Sequence, residues 1–254
     1  MNQPPRILSI AGSDSSGGAG IQADVKTITL LGGYAMTAIT AITAQNTTGV
    51  TAVEALSPAM VAAQIDACVD DIGIDAVKIG MLGSAAIAHI VADRLEAFVA
   101  ANGSIPIIFD PVMVSTAGSV LADEATIAAF ERLMGLACLT TPNVDELAAL
   151  GGDAALAARG IAYIAKGGDA PGETVVDRLM LPGQEPQIWT APRVETRHTH
   201  GTGCTLSSAI ATFLGQGAPL AEAIEDARDF VRAALLAAPG FGAGHGPMGH
   251  HAVR

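Results

Sequence analysis

Short apolar runs, broken by Gly, Pro and Asn, alternate along this chain with longer stretches of helical periodicity. Arg6–Gly12 (RILSIAG) predicts a first strand. Gly20–Gly32 follows with apolar residues at Ile21, Val25, Ile28 and Leu31, a spacing that puts all four on one helical face. Ala35–Asn46 predicts a second strand. The uncharged stretch Thr27–Val53 therefore reads as a helix end, a turn and a buried strand. Its glycines, threonines, Gln45 and Asn46 interrupt it too often for a membrane span of about 20 apolar residues. Ser57 before Pro58 marks a helix cap and first turn. Ala76–Met81 and Ile105–Met113 predict strands flanking a helix from about Ser84 to Ala100. Cys138–Asn143 and Ile161–Gly168 continue the scheme, with room between them for one helix, Val144 to about Arg159. TVVDRLML and PQIWTAPR, separated by Pro182–Gly183, predict an antiparallel hairpin at a sheet edge. Helices over about Gly203–Gly215 and Pro219–Ala238 close the pattern.

Strand–helix alternation implies an α/β fold, with a mostly parallel central sheet and helices on both faces. No linker or repeat divides residues 1–254, so a single domain is expected. Ligands in such folds gather beyond the carboxyl ends of the strands. That rule selects Gly12–Asp14, Gln45–Asn46, Gly80–Met81, Asp110, Asn143 and Lys166–Gly168.

Composition narrows the partners. Half of the 254 residues are apolar and 15% are charged, as a sheet covered on both faces requires. A net charge of −12 argues against nucleic acid, and any polyphosphate must be held by local positive features. Cys68, Cys138 and Cys204 follow no framework spacing. They are expected to be free thiols in a reducing compartment, with Cys68 and Cys138 as small apolar fillers. The start, MNQPPRILSI, lacks a secretory pattern, so a soluble cytoplasmic protein is expected. His198, His200, His245, His250 and His251 match no zinc signature. The glycine-rich tail GAGHGPMGHHAVR is either a loop lining a site or loose.

The chemistry concentrates in a few motifs. In THGTGCTLSSAIATFL, Gly201, Thr202 and Gly203 run straight into a helix. A helix start carries unpaired N–H groups and about half a positive charge, which makes it a seat for phosphate. Cys204 at that join is either a thiol whose pKa the dipole lowers or a small filler. AGSDSSGGAG misses the dinucleotide fingerprint because Asp14 stands where glycine is required. It misses the P-loop because Gly18 and Ala19 follow Gly17. Its small residues either make a plain turn or let a flat ligand approach the backbone. Gln45 ends an apolar strand with a donor and an acceptor side by side, as an aminopyrimidine edge requires, although a strand-end cap explains it equally. Met81 packs or walls a pocket. Asn143 and Glu146 have the spacing of a helix capping box and also of a Mg²⁺ and phosphate site. Lys166 is a phosphate contact or a surface lysine.

IAGSDSSGGAGIQADVKT, ITAQNTTGV, KIGML, DPVM, TPNVDEL, KGG, THGTGCTLSSAIA and GHGP together resemble, in order, segments of the hydroxymethylpyrimidine/phosphomethylpyrimidine kinase family of the ribokinase superfamily. The resemblance implies a ribokinase-like three-layer sandwich, usually a homodimer, that moves the ATP γ-phosphoryl to an aminopyrimidine alcohol and then to its monophosphate. It implies ring contacts from Gln45, Gly12, Met81 and Val112. Asn143 and Glu146 would serve Mg²⁺ and phosphate, and Lys166 and Thr199 the ATP phosphates. Gly201, Thr202 and Gly203 would form an anion hole, with Cys204 where many relatives carry an aspartate base; a Cys204 thiolate accepting the alcohol proton is the expected role, and shaping the pocket the alternative. The Val144–Arg159 segment is shorter than the family's usual form. A pyridoxal kinase of the same fold is the nearest alternative; a non-catalytic pyrimidine sensor and a nicotinamide oxidoreductase are more distant ones.

Overall fold

The computed structural model describes residues 3–115 and 118–253. Met1, Asn2 and Arg254, at the ends of the two terminal segments read above, lie outside them. One sheet runs through the described residues in the order β3-β2-β1-β4-β5-β6-β7-β8-β9. Its strands are β1 (Arg6–Asp14), β2 (Tyr34–Asn46), β3 (Gly49–Ala55), β4 (Ala76–Ile79), β5 (Ile107–Phe109), β6 (Leu139–Thr140), β7 (Tyr163–Ala165), β8 (Thr174–Met180) and β9 (Gln187–Pro192). The strands from β2 to β7 pair in parallel. β3 adds antiparallel at one edge, and the β8–β9 hairpin at the other.

The helices are α1 (Gly20–Leu30), α2 (Pro58–Asp71), α3 (Ala85–Asn102), α4 (Glu124–Leu136), α5 (Val144–Ala149), α6 (Gly152–Ala158), α7 (Thr202–Gly215) and α8 (Leu220–Leu236). Strand residues alternate between two cores, as the two-residue strand period demands. Leu8, Ile10, Val77 and Ile79 pack with α2, α3 and α4. Ile7, Ala76 and Ile108 pack with α1, α7 and α8. This is the three-layer α/β sandwich that the sequence pattern implies.

Local signals act where expected. Ser57 accepts from the Met60 N–H at 3.2 Å and Ser84 from Ile87 at 3.3 Å, so α2 and α3 start at their caps. Four readings are corrected. The single helix over Val144–Arg159 is two, α5 and α6, because Gly151 and Gly152 take φ of 97° and 76° and break the ladder. Val25 is exposed, and α1 turns Asp24 and Thr27 inward instead. β3 and α4 are additions to that reading; β3 is exposed along most of its length and has no buried face to reveal it, whereas α4 buries Ala129, Phe130, Leu133 and Met134 at helical spacing behind its Asp123 cap. Cys138 is exposed rather than a filler. The tail, left open by the sequence, packs: Met248 and His250 are buried, and the Gly249 N–H donates to Ala234 O at 2.8 Å.

Candidate active site

The carboxyl ends of β1, β2 and β4–β7 face the start of α7 across a cleft of about 550 Å³. Gly12, Gln45, Met81, Val112, Asn143, Glu146, Lys166, Thr199, Gly201, Thr202, Gly203 and Cys204 all line it. Of the strand-end residues, Asn46, Gly80 and Gly167 are not part of its lining. What each lining residue does there is a separate matter.

At one end the backbone itself is the feature. Gly201 is the N-cap of α7, with φ of 88°, and no side chain caps the helix. A Cβ at Gly201 would collide with the Gly18 carbonyl oxygen, so the two glycine-rich loops are packed backbone to backbone. The first loop's small residues thus serve close packing. The Thr202 N–H turns back to Thr199 O at 3.3 Å, leaving the next positions of the first turn without a side-chain partner.

Beside this turn lies a charged cluster. A Cβ on Gly203 would stand 3.2 Å from Lys166 Nζ and 3.4 Å from Asp110 Oδ2. Lys166 bonds Asp110 at 2.8 Å and approaches Glu146 at 3.9 Å. Thr141 donates to Asp110 at 2.7 Å. Burial works against the Lys166 ammonium, but Asp110 and Glu146 outweigh it and hold its pKa above the ordinary value. Burial likewise opposes ionisation of Asp110, and Lys166 and Lys78 overcome it, so its pKa is lowered. Glu146 goes the other way. Burial, aided by Asp110 and only partly offset by Lys166, raises its pKa to about 7. The capping box at Asn143 is real: Glu146 N–H donates to Asn143 Oδ1, and Asn143 N–H to Glu146 Oε2, both at 2.8 Å.

Cys204 corrects an expectation. Burial, with Asp24 and Asp110 adding to it, pushes the thiol up to about 11, although Lys78 and the Gly20 N–H pull it down. The helix dipole does not produce a thiolate at neutral pH.

The other end of the cleft holds Gly12, Met81 and Gln45. A Cβ on Gly12 would lie 2.6 Å from Met81 Cε, so glycine leaves room for the tip of Met81 to lie against β1 as it does. The Gln45 amide sits near Thr43 Oγ1 at 3.1 Å and His200 Nε2 at 3.5 Å.

Three features escaped the sequence reading. Asp14 and His200, 2.8 Å apart, both line the cleft; the strand-end rule selects Asp14, but nothing in the sequence pairs it with His200. Lys78 is fully buried and ion-paired with fully buried Asp24. A lone lysine inside an apolar strand signals a buried partner, because the charge is otherwise too costly. Asp177 accepts from the Gly167 N–H at 2.8 Å and from Arg228 at 2.7 Å. Arg193 binds the carbonyls of Gly168, Ala170 and Gly172. Together they fix the loop after Lys166.

Residues 14–249 match the phosphomethylpyrimidine kinase family. The hydroxymethylpyrimidine/phosphomethylpyrimidine kinase of Rhizobium meliloti is 46% identical over 96% of this chain and 96% of its own. The thiamine biosynthesis bifunctional protein ThiED of Geobacter sulfurreducens is 43% identical over 96% of this chain, which spans only 52% of that longer protein. An ADP complex of Bacillus subtilis pyridoxal kinase superposes with a TM-score of 0.88 at 33% identity, covering 99% of both chains.

Proposed function

This chain belongs to the phosphomethylpyrimidine kinase family of the ribokinase superfamily, and from that premise we propose that it phosphorylates 4-amino-5-hydroxymethyl-2-methylpyrimidine, then its monophosphate to the pyrophosphate. Family membership makes it a phosphotransferase acting on a small vitamin-precursor molecule, with ATP as donor and Mg²⁺ as the accompanying ion. The finer assignment rests on one observation. A flat, glycine-floored pocket ending in an amide, and a helix start flanked by a lysine, share a single cleft.

In this reading Gln45 meets the aminopyrimidine edge, and Gly12, Met81 and Val112 cover the ring. The alcohol then points toward Gly201–Cys204. Phosphoryl transfer spreads charge over the equatorial oxygens of a loose transition state. Main-chain N–H groups of Gly201 and Gly203 would meet that charge, joined by the Thr202 N–H once it leaves Thr199 O, and a single donor of this kind is worth roughly 10²–10³ in rate. Lys166 and Thr199 neutralise and orient the ATP phosphates. Because the Cys204 thiol is protonated near neutrality, its role is to wall the pocket where the alcohol reacts.

The donor set also fits Mg²⁺. Among the described residues no group of three His, Cys, Asp or Glu forms a complete protein cage. One buried carboxylate with a raised pKa, Glu146, instead lies beside the anion site. Mg²⁺ commonly keeps its waters and takes one or two carboxylates plus phosphate. Glu146, with Asn143 orienting it, would hold the ion, which supplies charge neutralisation on the phosphates.

A pyridoxal kinase is the second reading, favoured by the superposition on the Bacillus subtilis enzyme. Steady-state ADP release with the pyrimidine alcohol, its monophosphate and pyridoxal separates the two. The pyrimidine reading expects the highest kcat/KM for the first pair. A preference for pyridoxal overturns it. The whole chain acts as one domain in this proposal. A homodimer is supported by the exposed edge strand β3, with its Val53 and Ile42 of the neighbouring β2 at the surface, and a cytoplasmic setting by three free cysteines. No helix among the described residues is long and apolar enough to cross a membrane.

A further inference from the structure

The Asp14 carboxylate is ringed by donors. Oδ2 accepts from Gly18 N–H at 3.1 Å, Ala19 N–H at 2.8 Å and Ser16 Oγ at 3.0 Å, and Oδ1 accepts from Ser16 N–H at 2.9 Å. Such a group is ionised. Its pKa is lowered even though burial opposes this. His200 Nε2 lies 2.8 Å from the same Oδ2. An ionised carboxylate offers only lone pairs, so the His200 nitrogen facing it carries a hydrogen and donates.

That hydrogen has a consequence for Gln45. The Gln45 amide nitrogen lies 3.5 Å from His200 Nε2, and its oxygen 3.1 Å from Thr43 Oγ1. Two N–H donors cannot satisfy one another. Thr43 Oγ1 also lies 2.8 Å from the Ser13 carbonyl, which can only accept. Its single hydrogen goes there, so the hydroxyl is left to accept. Turning the amide end for end resolves both contacts at once. The nitrogen then donates to Thr43, and the oxygen, in place of a second N–H, faces the His200 ring edge at 3.5 Å, whose Nε2 hydrogen stays on Asp14. The choice between amide ends is settled by the network, because the two ends are nearly isosteric.

We infer that Asp14 and His200 form a positioning dyad that, with Thr43, fixes the polarity of the Gln45 amide and thereby selects the ring edge the cleft accepts. This rests on the aminopyrimidine reading above. An amide lone pair, on the His200 side, and one N–H, on the Thr43 side, remain for the ligand. The complementary edge carries a donor beside an acceptor, in that order. An exocyclic amine next to a ring nitrogen has this pattern. A pyridine whose hydroxyl is not adjacent to its ring nitrogen does not.

The test is a double-mutant cycle on the purified full chain, using KM for the aminopyrimidine alcohol and for ATP. His200→Leu should raise the pyrimidine KM by about tenfold, the typical cost of an unmatched polar contact. The ATP KM should stay within about twofold. In a Gln45→Ala background, His200→Leu should add less than about twofold, because the dyad acts only through the amide. Wild type should also discriminate against the same alcohol lacking the amine, and His200→Leu should lose that discrimination. If His200→Leu does not fold, Thr43→Val removes the other anchor of the amide, and the same non-additivity with Gln45→Ala is expected. Equal penalties in both backgrounds, or parallel rises in both KM values, overturn the dyad alone. A wild type that turns over no aminopyrimidine overturns the functional reading, and the dyad's role with it.

Discussion

Lys78 Nζ stands 2.9 Å from Asp24 Oδ2, and solvent reaches neither side chain. Ser9 of β1 and Ser208 of α7 donate to the same carboxylate at 2.6 and 2.8 Å. One charge pair therefore joins β1, β4, α1 and α7, a single helical turn past Cys204. Removing one partner leaves a naked buried charge, which costs roughly 3–5 kcal/mol, whereas a neutral pair of similar volume is often tolerated. Asp24→Asn and Lys78→Met should each lower stability by that amount in urea unfolding. The double variant should recover most of it. Single variants as stable as wild type would contradict this.

The turn that opens α7 depends on a missing side chain. Gly201→Ala places a Cβ on left-handed backbone, a cost of about 1–2 kcal/mol, and drives it into the Gly18 carbonyl. Loss of kcat should exceed the loss of pyrimidine binding, because the turn and not the ring pocket moves. A variant with wild-type kcat and a raised pyrimidine KM would place the turn away from the chemistry.

The Cys204 thiol is pushed up to about 11, mainly by burial. Its alkylation, followed by mass spectrometry of the modified peptide, should therefore speed up by about tenfold per pH unit from pH 7 to 9 without a plateau. Cys204→Ser should keep kcat within about tenfold of wild type, because a general base is worth 10²–10⁴ and a loose transition state needs little of one. A plateau near pH 7, or a loss of 10³, would restore the thiolate as base.

Glu146 titrates near 7, above the ordinary 4.5, chiefly through burial. A raised acid favours its protonated form in the folded protein. Glu146 therefore costs stability progressively as pH rises from 4.5 to about 7, and the full cost persists above that. Glu146→Gln keeps an acceptor for the Asn143 N–H and removes the charge, so at pH 8 it should raise Tm while weakening Mg²⁺-dependent turnover. A Tm that falls at pH 8 would mean that the charge is better paired than Lys166 alone can make it.

Much of this site is legible in the sequence because strand ends and glycines announce themselves. Gln45, Asn143 and Lys166 each follow an apolar run, and the sheet carries all three to one cleft. The partners are harder to read. Asp24 sits 54 residues before Lys78, and only the folded chain brings the two together. Asp14 and His200 are 186 residues apart, so no local spacing links them. Cys204 departs from the sequence expectation for a similar reason. The dipole at a helix start is visible in sequence, but the burial that outweighs it is set by α1, β4 and β5, which arrive from elsewhere in the chain. The break between α5 and α6 was readable at Gly151–Gly152 and was masked by the length of the apolar pattern.

The most direct measurement is ³¹P NMR of the purified chain with ATP, Mg²⁺ and the aminopyrimidine alcohol. A phosphomonoester signal should appear first and give way to a pair of coupled diphosphate resonances distinct from those of ADP. ADP accumulating with no organic phosphate product, or a monoester that never advances even when supplied as substrate, would contradict two successive transfers in this cleft.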